Sequence, residues 1–122
     1  MHCYIAGPMR RIPQFNFPAF MSAAKWLEQQ GHTVFNPAAE DIKAGADPVN
    51  PVPIMSFSEF MAKDLPEVCR SERIYLLPGW EASQGARLEA YVAKELKIPG
   101  FRLLPSYKGS WLELEEWGYT YE

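Results

Sequence analysis

Glu89 raises the first chemical question, in the stretch "LPGWEASQGARLEAYVAKE" from Leu77 to Glu95. The pattern reads as a strand end, a turn and a helix, with this acid in the helix's second turn. Its neighbours at i−3, i+1 and i+4 are Ala86, Ala90 and Ala93, and no basic residue stands one turn further on to pair with it. Small neighbours leave space beside a carboxylate, as a bound molecule would require. The plain alternative is an acid placed near a helix start, where the dipole favours negative charge.

Asp64 is the second suspicious acid. It follows Met61 and Phe60 by three and four residues, on the apolar face of its helix, where an unpaired charge is costly. Against that stands "DLPE" (Asp64–Glu67), itself a capping pattern with a proline near the start of a new turn. Both readings stay open on the residues alone. An anion could be held nearby: "GPMRR" offers Gly7 for close backbone approach and Arg10 and Arg11 for charge. Ser83 and Gly85 add a hydroxyl and the amides of a helix start. Each of these signals is weak singly, since an arginine pair is usually a solvated surface feature.

The elements that must position these groups follow from periodicity. "HCYIA" (His2–Ala6) is a short apolar run stopped by Gly7-Pro8, and predicts a buried strand. Asn16 opens a helix with Phe17, Phe20, Met21, Ala24 and Leu27 on one face, and Gly31 ends it. "HTVFNP" (His32–Pro37) is a second strand. The proline-rich stretch 38–55 is expected to be an ordered surface loop with no regular structure of its own. "SFSE" (Ser56–Glu59) is a capping box, starting a helix with Phe57, Phe60, Met61, Leu65 and Val68 inward. "RIYLLP" (Arg73–Pro78) is a third strand, apolar enough to be central, and "GFRLL" (Gly100–Leu104) a fourth. Strands alternating with helices specify βαβ units. The predicted fold is therefore α/β, one domain over 1–122 with a parallel sheet flanked by helices in the Rossmann-like or flavodoxin-like manner. Ligands of such sheets sit at the carboxyl ends of the strands, which selects "GPMRR", "NPAAED" and "GWEASQG".

Composition narrows the function classes. A 122-residue chain that is 48% hydrophobic and 14% aromatic can bury a core without metal or disulfide staples. A net charge of −3 with no basic stripe argues against duplex nucleic acid as partner. Cys3 and Cys69 form neither a disulfide framework nor a metal knuckle, and read as reduced, partly buried thiols of a cytoplasmic protein. No apolar run suffices for a membrane span and no signal peptide precedes "MHCYIAGP". There is no Walker loop, GxGxxG or HExxH, so no cofactor or metal is expected. His2 and His32 lie near strand starts, away from the expected site.

Taken together, "YIAGPMR" (Tyr4–Arg10), Asp64 and "SQGARLE" (Ser83–Glu89) resemble the nucleoside 2-deoxyribosyltransferase superfamily, and more closely its short, often phage-encoded members. The resemblance runs from Met1 to about Leu104. It implies that Glu89 is the nucleophile that attacks C1′ of the sugar, that Tyr4 orients it, and that Asp64 protonates the departing base. A carboxylate suits that role because it stabilises oxocarbenium-like charge and forms an ester that can break again. Ser83, six residues before the nucleophile, and Arg10, in the first loop, match the members that hydrolyse deoxynucleoside 5′-monophosphates rather than those acting on free nucleosides. The implied site residues are thus Glu89, Asp64 and Tyr4 for chemistry, with Gly7, Pro8, Arg10, Ser83 and Gly85 for substrate. The implied activity is cleavage of the N-glycosidic bond, resolved by water or by a second base. A nucleotide-binding or sensing module without turnover is the alternative on the same fold. Gly7-Pro8 departs from the serine-containing loop of the hydrolases, and 38–55 has no counterpart. Relatives of this kind are dimers or larger. Trp111, Trp117, Tyr119 and Tyr121 crowd the tail 110–122, so a homodimer is expected, unless that tail packs across its own sheet.

Overall fold

The computed structural model describes residues 1–9, 12–45 and 56–117. Its core is a five-stranded sheet in the order β2-β1-β3-β4-β5. Strands β1 (His2–Ala6), β2 (Thr33–Phe35), β3 (Arg73–Leu76) and β4 (Gly100–Pro105) run parallel, as the apolar runs and helical spacers require. Strand β5 (Trp111–Trp117) is antiparallel to β4. The order reverses at β1, whose chain moves out to β2 and returns on the far side as β3. A doubly wound sheet opens its crevice at that point, beyond the carboxyl ends of the strands.

Alternation along the strands divides the apolar residues between two faces. Cys3 and Ile5 of β1, with Tyr75, Leu77 and Leu103, pack under helix α1 (Phe17–Gln29) through Phe17, Phe20, Ala23, Ala24 and Leu27. Tyr4 and Ala6, with Ile74 and Leu76, face the other way, against α3 (Phe57–Cys69) and α4 (Gln84–Glu95). Two of the start signals in the sequence do their work. Ser56 and Glu59 close a capping box on α3, and the Ser83 hydroxyl accepts from the amide of Ala86 at 3.2 Å to cap α4. Asn16 does precede α1, but in a left-handed conformation (φ 60°) and without a side-chain cap; Gln14 and Phe15 before it are left-handed too. Met21, expected inward, is 36% exposed on α1.

Three expectations change. The stretch 38–55 is not wholly irregular: Pro37–Lys43 form helix α2, and 46–55 lie outside the described residues. Asn36 caps α2 by accepting from the amides of Ala38 and Ala39, and Pro37 at the first position is preset for a helix. The sheet is not purely parallel, because the chain after β4 turns back as β5. Cys69 is exposed, whereas Cys3 is fully buried and burial pushes its thiol up to about 11. No helix among the described residues is long and apolar enough to cross a membrane.

The described part of the tail therefore covers its own sheet. Trp111 is buried in the α1-side core and its indole N–H donates to Ser22 Oγ at 3.2 Å. Trp117 lies across Gly100 and donates to the Ile98 carbonyl at 2.8 Å; a Cβ on Gly100 would sit 2.4 Å from the indole ring. Truncating Trp111 removes a large buried side chain at the sheet edge. Trp111→Ala should cost about 3–5 kcal/mol in denaturant unfolding. A loss below about 1 kcal/mol would show that β5 is not part of the cooperative core.

Candidate active site

A cavity of about 700 Å3 opens at the switch point. Gly7, Pro8 and Met9 after β1, Pro37 after β2, and Pro78 and Gly79 after β3 form its floor and rim, and Ser83 to Ala86 bring in the start of α4. Its walls are aromatic: Phe15, Phe17 and Phe20 on one side, Phe57 and Phe60 with Met61 on the other. Flat rings between apolar walls with few polar groups suit a planar organic ligand.

Glu89 lines this cavity. It is 5% exposed, and its Oε2 accepts a hydrogen bond from the Tyr4 hydroxyl. Tyr4 is fully buried in the middle of β1, its ring stacked on Phe35 at 5.6 Å, so the phenol has one direction in which to point. Burial pushes the Glu89 carboxyl up to about 8, the Tyr4 hydrogen bond opposes this, and the nearby Asp64 and Asp41 add to it. Glu89 is thus a buried acid and not one left in water at a helix start. Of the three alanines beside it, only Ala86 borders the cavity. Ala90 and Ala93 pack with the strands, and their small size lets α4 settle close on the sheet.

Asp64 also lines the cavity and is 5% exposed. Helix α3 runs unbroken from Phe57 to Cys69 with Pro66 inside it, so Asp64 does not cap a new turn. Its Oδ1 is buried and has no hydrogen-bond partner among the described residues. Burial, then the Asp41 carboxylate, push its carboxyl up to about 7. Asp41 is a buried acid that the sequence reading missed. It is 3% exposed on the inward face of α2 with Pro37 and Ala38, and its Oδ1 accepts from Lys63 Nζ at 3.0 Å. The Asn36-Pro37 start was the available signal, since it announces a helix and so places Asp41 on the same face as Pro37.

Ser83 and Gly85 also line the cavity, as do Gly7 and Pro8. The two glycines have packing reasons of their own. A Cβ on Gly7 would stand 2.8 Å from Leu77 Cβ, and one on Gly85 would stand 3.3 Å from Met61 Cε. The expected Arg10 lies outside the described residues. The cavity thus gathers Glu89, Tyr4 behind it, Asp64, Ser83, Gly85, Gly7 and Pro8. His2 and His32 do not line it.

The comparisons with known proteins bear on the fold. The chain superposes on a solved 2-deoxyribosyltransferase from the psychrotolerant bacterium Bacillus psychrosaccharolyticus with a TM-score of 0.61 and 20% identity. The match covers 84% of this chain and 71% of that one. No curated protein matches the chain. A family model described as "Domain of unknown function (DUF4406)" matches residues 1–100, which span β1 to the start of β4 and every described residue of the cavity. The chain belongs to the DUF4406 family.

Proposed function

We propose that the cavity cleaves the N-glycosidic bond of 2′-deoxynucleoside 5′-monophosphates through a glycosyl ester on Glu89. The observation that carries this reading is a buried carboxylate, oriented by the Tyr4 hydroxyl, sharing one cavity with a second buried acid. The fold shared with a 2-deoxyribosyltransferase supports the same class of chemistry. The Glu89 carboxylate attacks C1′ while the C1′–N bond breaks. The bond's electron pair goes to the base, which takes a proton from Asp64. Water, or a second base, then attacks C1′, the ester bond breaks, and Glu89 regains its carboxylate. The proton of the incoming group returns to Asp64, so the cycle closes with no net change in the protein.

The 5′-phosphate is assigned to the start of α4. The Ser83 hydroxyl there accepts from Ala86, which leaves its own proton free to donate, and the first-turn amides present a positive dipole end. Arg10 completes the assignment as its counter-charge.

A first test is Glu89→Gln, which keeps the shape and the Tyr4 contact. Base release from deoxynucleotides should fall at least about a thousandfold, and a 2-fluoro sugar analogue should label Glu89 in the parent. Turnover within tenfold of the parent would end this mechanism. The same variant reports on its fold. Because the Glu89 pKa is raised from 4.5 to about 8, its stabilising contribution is complete below pH 4.5 and is lost as the pH rises through about 8. Glu89→Gln should therefore match the parent near pH 4.5 and exceed it by a few kcal/mol (roughly) at pH 9.

The reaction needs one proton on the acid pair, with the charge on Glu89 and the proton on Asp64. With the Tyr4 hydrogen bond already acting on it, Glu89 stands at about 8 and Asp64 at about 7. The single proton therefore rests mostly on Glu89, and the reactive arrangement is the less populated tautomer of the singly protonated pair. The kcat/KM profile should be bell-shaped, peaking between pH 7 and 8 and falling about tenfold per unit on either side. A flat profile from pH 6 to 9 would contradict the assignment of both acids.

Phosphate recognition is tested by pairing each deoxynucleotide with its nucleoside. Monophosphates should be preferred, and Arg10→Ala should lower kcat/KM for them about ten- to a hundredfold while changing nucleoside use by less than about threefold. Equal kinetics on nucleoside and monophosphate in the parent would remove the phosphate from the proposal.

A further inference from the structure

Asp41 is the buried acid of the cavity that the proposed chemistry leaves without a task. Burial pushes its carboxyl up, and Lys63 Nζ, donating to its Oδ1 at 3.0 Å, opposes this and favours the ionised form, which can only accept hydrogen bonds. Asp64 lines the same cavity with a buried Oδ1 that has no partner among the described residues. In the state that protonates a leaving base, Asp64 carries an O–H and donates. Asp41 and Asp64 line one cavity, and after burial the Asp41 charge is the largest influence on Asp64. Between the ring-bearing walls, the cavity therefore presents one acceptor and one donor to whatever lies flat against Phe57 and Phe60.

The complement of that pair on a nucleobase is an amino group beside an accepting ring nitrogen. Adenine carries it as the N6 amino group beside N7, and cytosine as the N4 amino group beside N3. A 6-oxo purine presents O6 and N7, two acceptors, and so sets an oxygen against the Asp41 carboxylate. Protonation at N7 also suits departure from N9, because the ring then leaves without a negative charge. Resting on the function proposed above, we propose that Asp41 selects nucleotides of amino-bearing bases over their oxo counterparts, accepting from the exocyclic amino group while Asp64 donates to the neighbouring ring nitrogen. Lys63 has a positioning role, holding Asp41 as an acceptor.

The test compares dAMP with dIMP, which differ at the 6-position by amino against oxo. The parent protein should favour dAMP in kcat/KM by about ten- to a hundredfold, the range of one well-placed bidentate contact. Asp41→Asn keeps the volume and gains a donating NH2, so the dAMP:dIMP ratio should drop below about three or invert. A merely structural role for Asp41 would lower both substrates together and leave the ratio unchanged. Should Asp41→Asn fail to fold, Lys63→Met gives the same reading: without the cation the buried acid takes up a proton, can donate to O6, and the ratio falls. Calorimetric binding of both nucleotides to Glu89→Gln repeats the ranking without turnover. Equal or reversed preference in the parent overturns the Asp41 assignment and leaves the glycosidic reading standing. Release from neither nucleotide, with preferential binding of dAMP, keeps Asp41 and overturns the catalysis. Binding and release of neither overturns both.

Discussion

The site depends on one interaction: a carboxylate taken out of water and met there by a phenol. Glu89 is almost wholly covered by α4 and the sheet, and a charge in such a place is costly unless something donates to it. The Tyr4 hydroxyl is that donor, and it comes from the opposite partner in the helix–sheet contact. Helix α4 and strand β1 are thus joined at their buried interface by a polar contact as well as by alanines. Displacing either element would leave an acid or a phenol unsatisfied in the core, so the geometry of the carboxylate is as stiff as the fold.

That stiffness traces back to strand register. Tyr4 stands opposite Phe35 on β2 and Ile74 on β3, and the stacked Phe35 ring closes the side from which Tyr4 could swing. Pairing on both flanks leaves β1 no slack, since a slip by one residue would turn Tyr4 to the α1 face and bring Cys3 or Ile5 under α4. The crevice itself is a consequence of the strand order, because the chain passes to opposite sides after β1 and cannot cover the gap it leaves. Into this gap α3 and α2 each lower one acid, and Lys63 ties the two helices together through Asp41.

Electrostatics give the cavity its character. Three buried acids within one electrostatic neighbourhood, with one ion pair among them, cannot all be charged near neutral pH without mutual repulsion. Burial and this repulsion raise the carboxyls of Glu89 and Asp64 to about 8 and about 7, so the pair keeps a proton near neutral pH. Arrangements of this sort are uncommon in cores that serve stability alone.

Much of this was legible in the residues. Apolar runs and caps fixed β1, β3, α3 and α4 closely, because each is decided by local chemistry: alternation, the Ser56–Glu59 box, the Ser83 cap. The spacing of Glu89 and Asp64 on their helices was likewise visible, and so was their oddity as acids without local partners. Tertiary structure alone decided whether those acids face water or a cavity, since burial belongs to the neighbours and not to the residue. It decided that "DLPE" continues a helix, because packing of α3 against α4 outweighs a local capping pattern. It also turned Asp41 inward: proline in the stretch 38–55 signalled a loop, but Pro37 sits at a helix start, where its missing amide costs nothing. The tail shows the same division. Its aromatic content announced that it must be covered, and the free edge of β4 determined what covers Trp111–Trp117, while Tyr119 and Tyr121 lie outside the described residues.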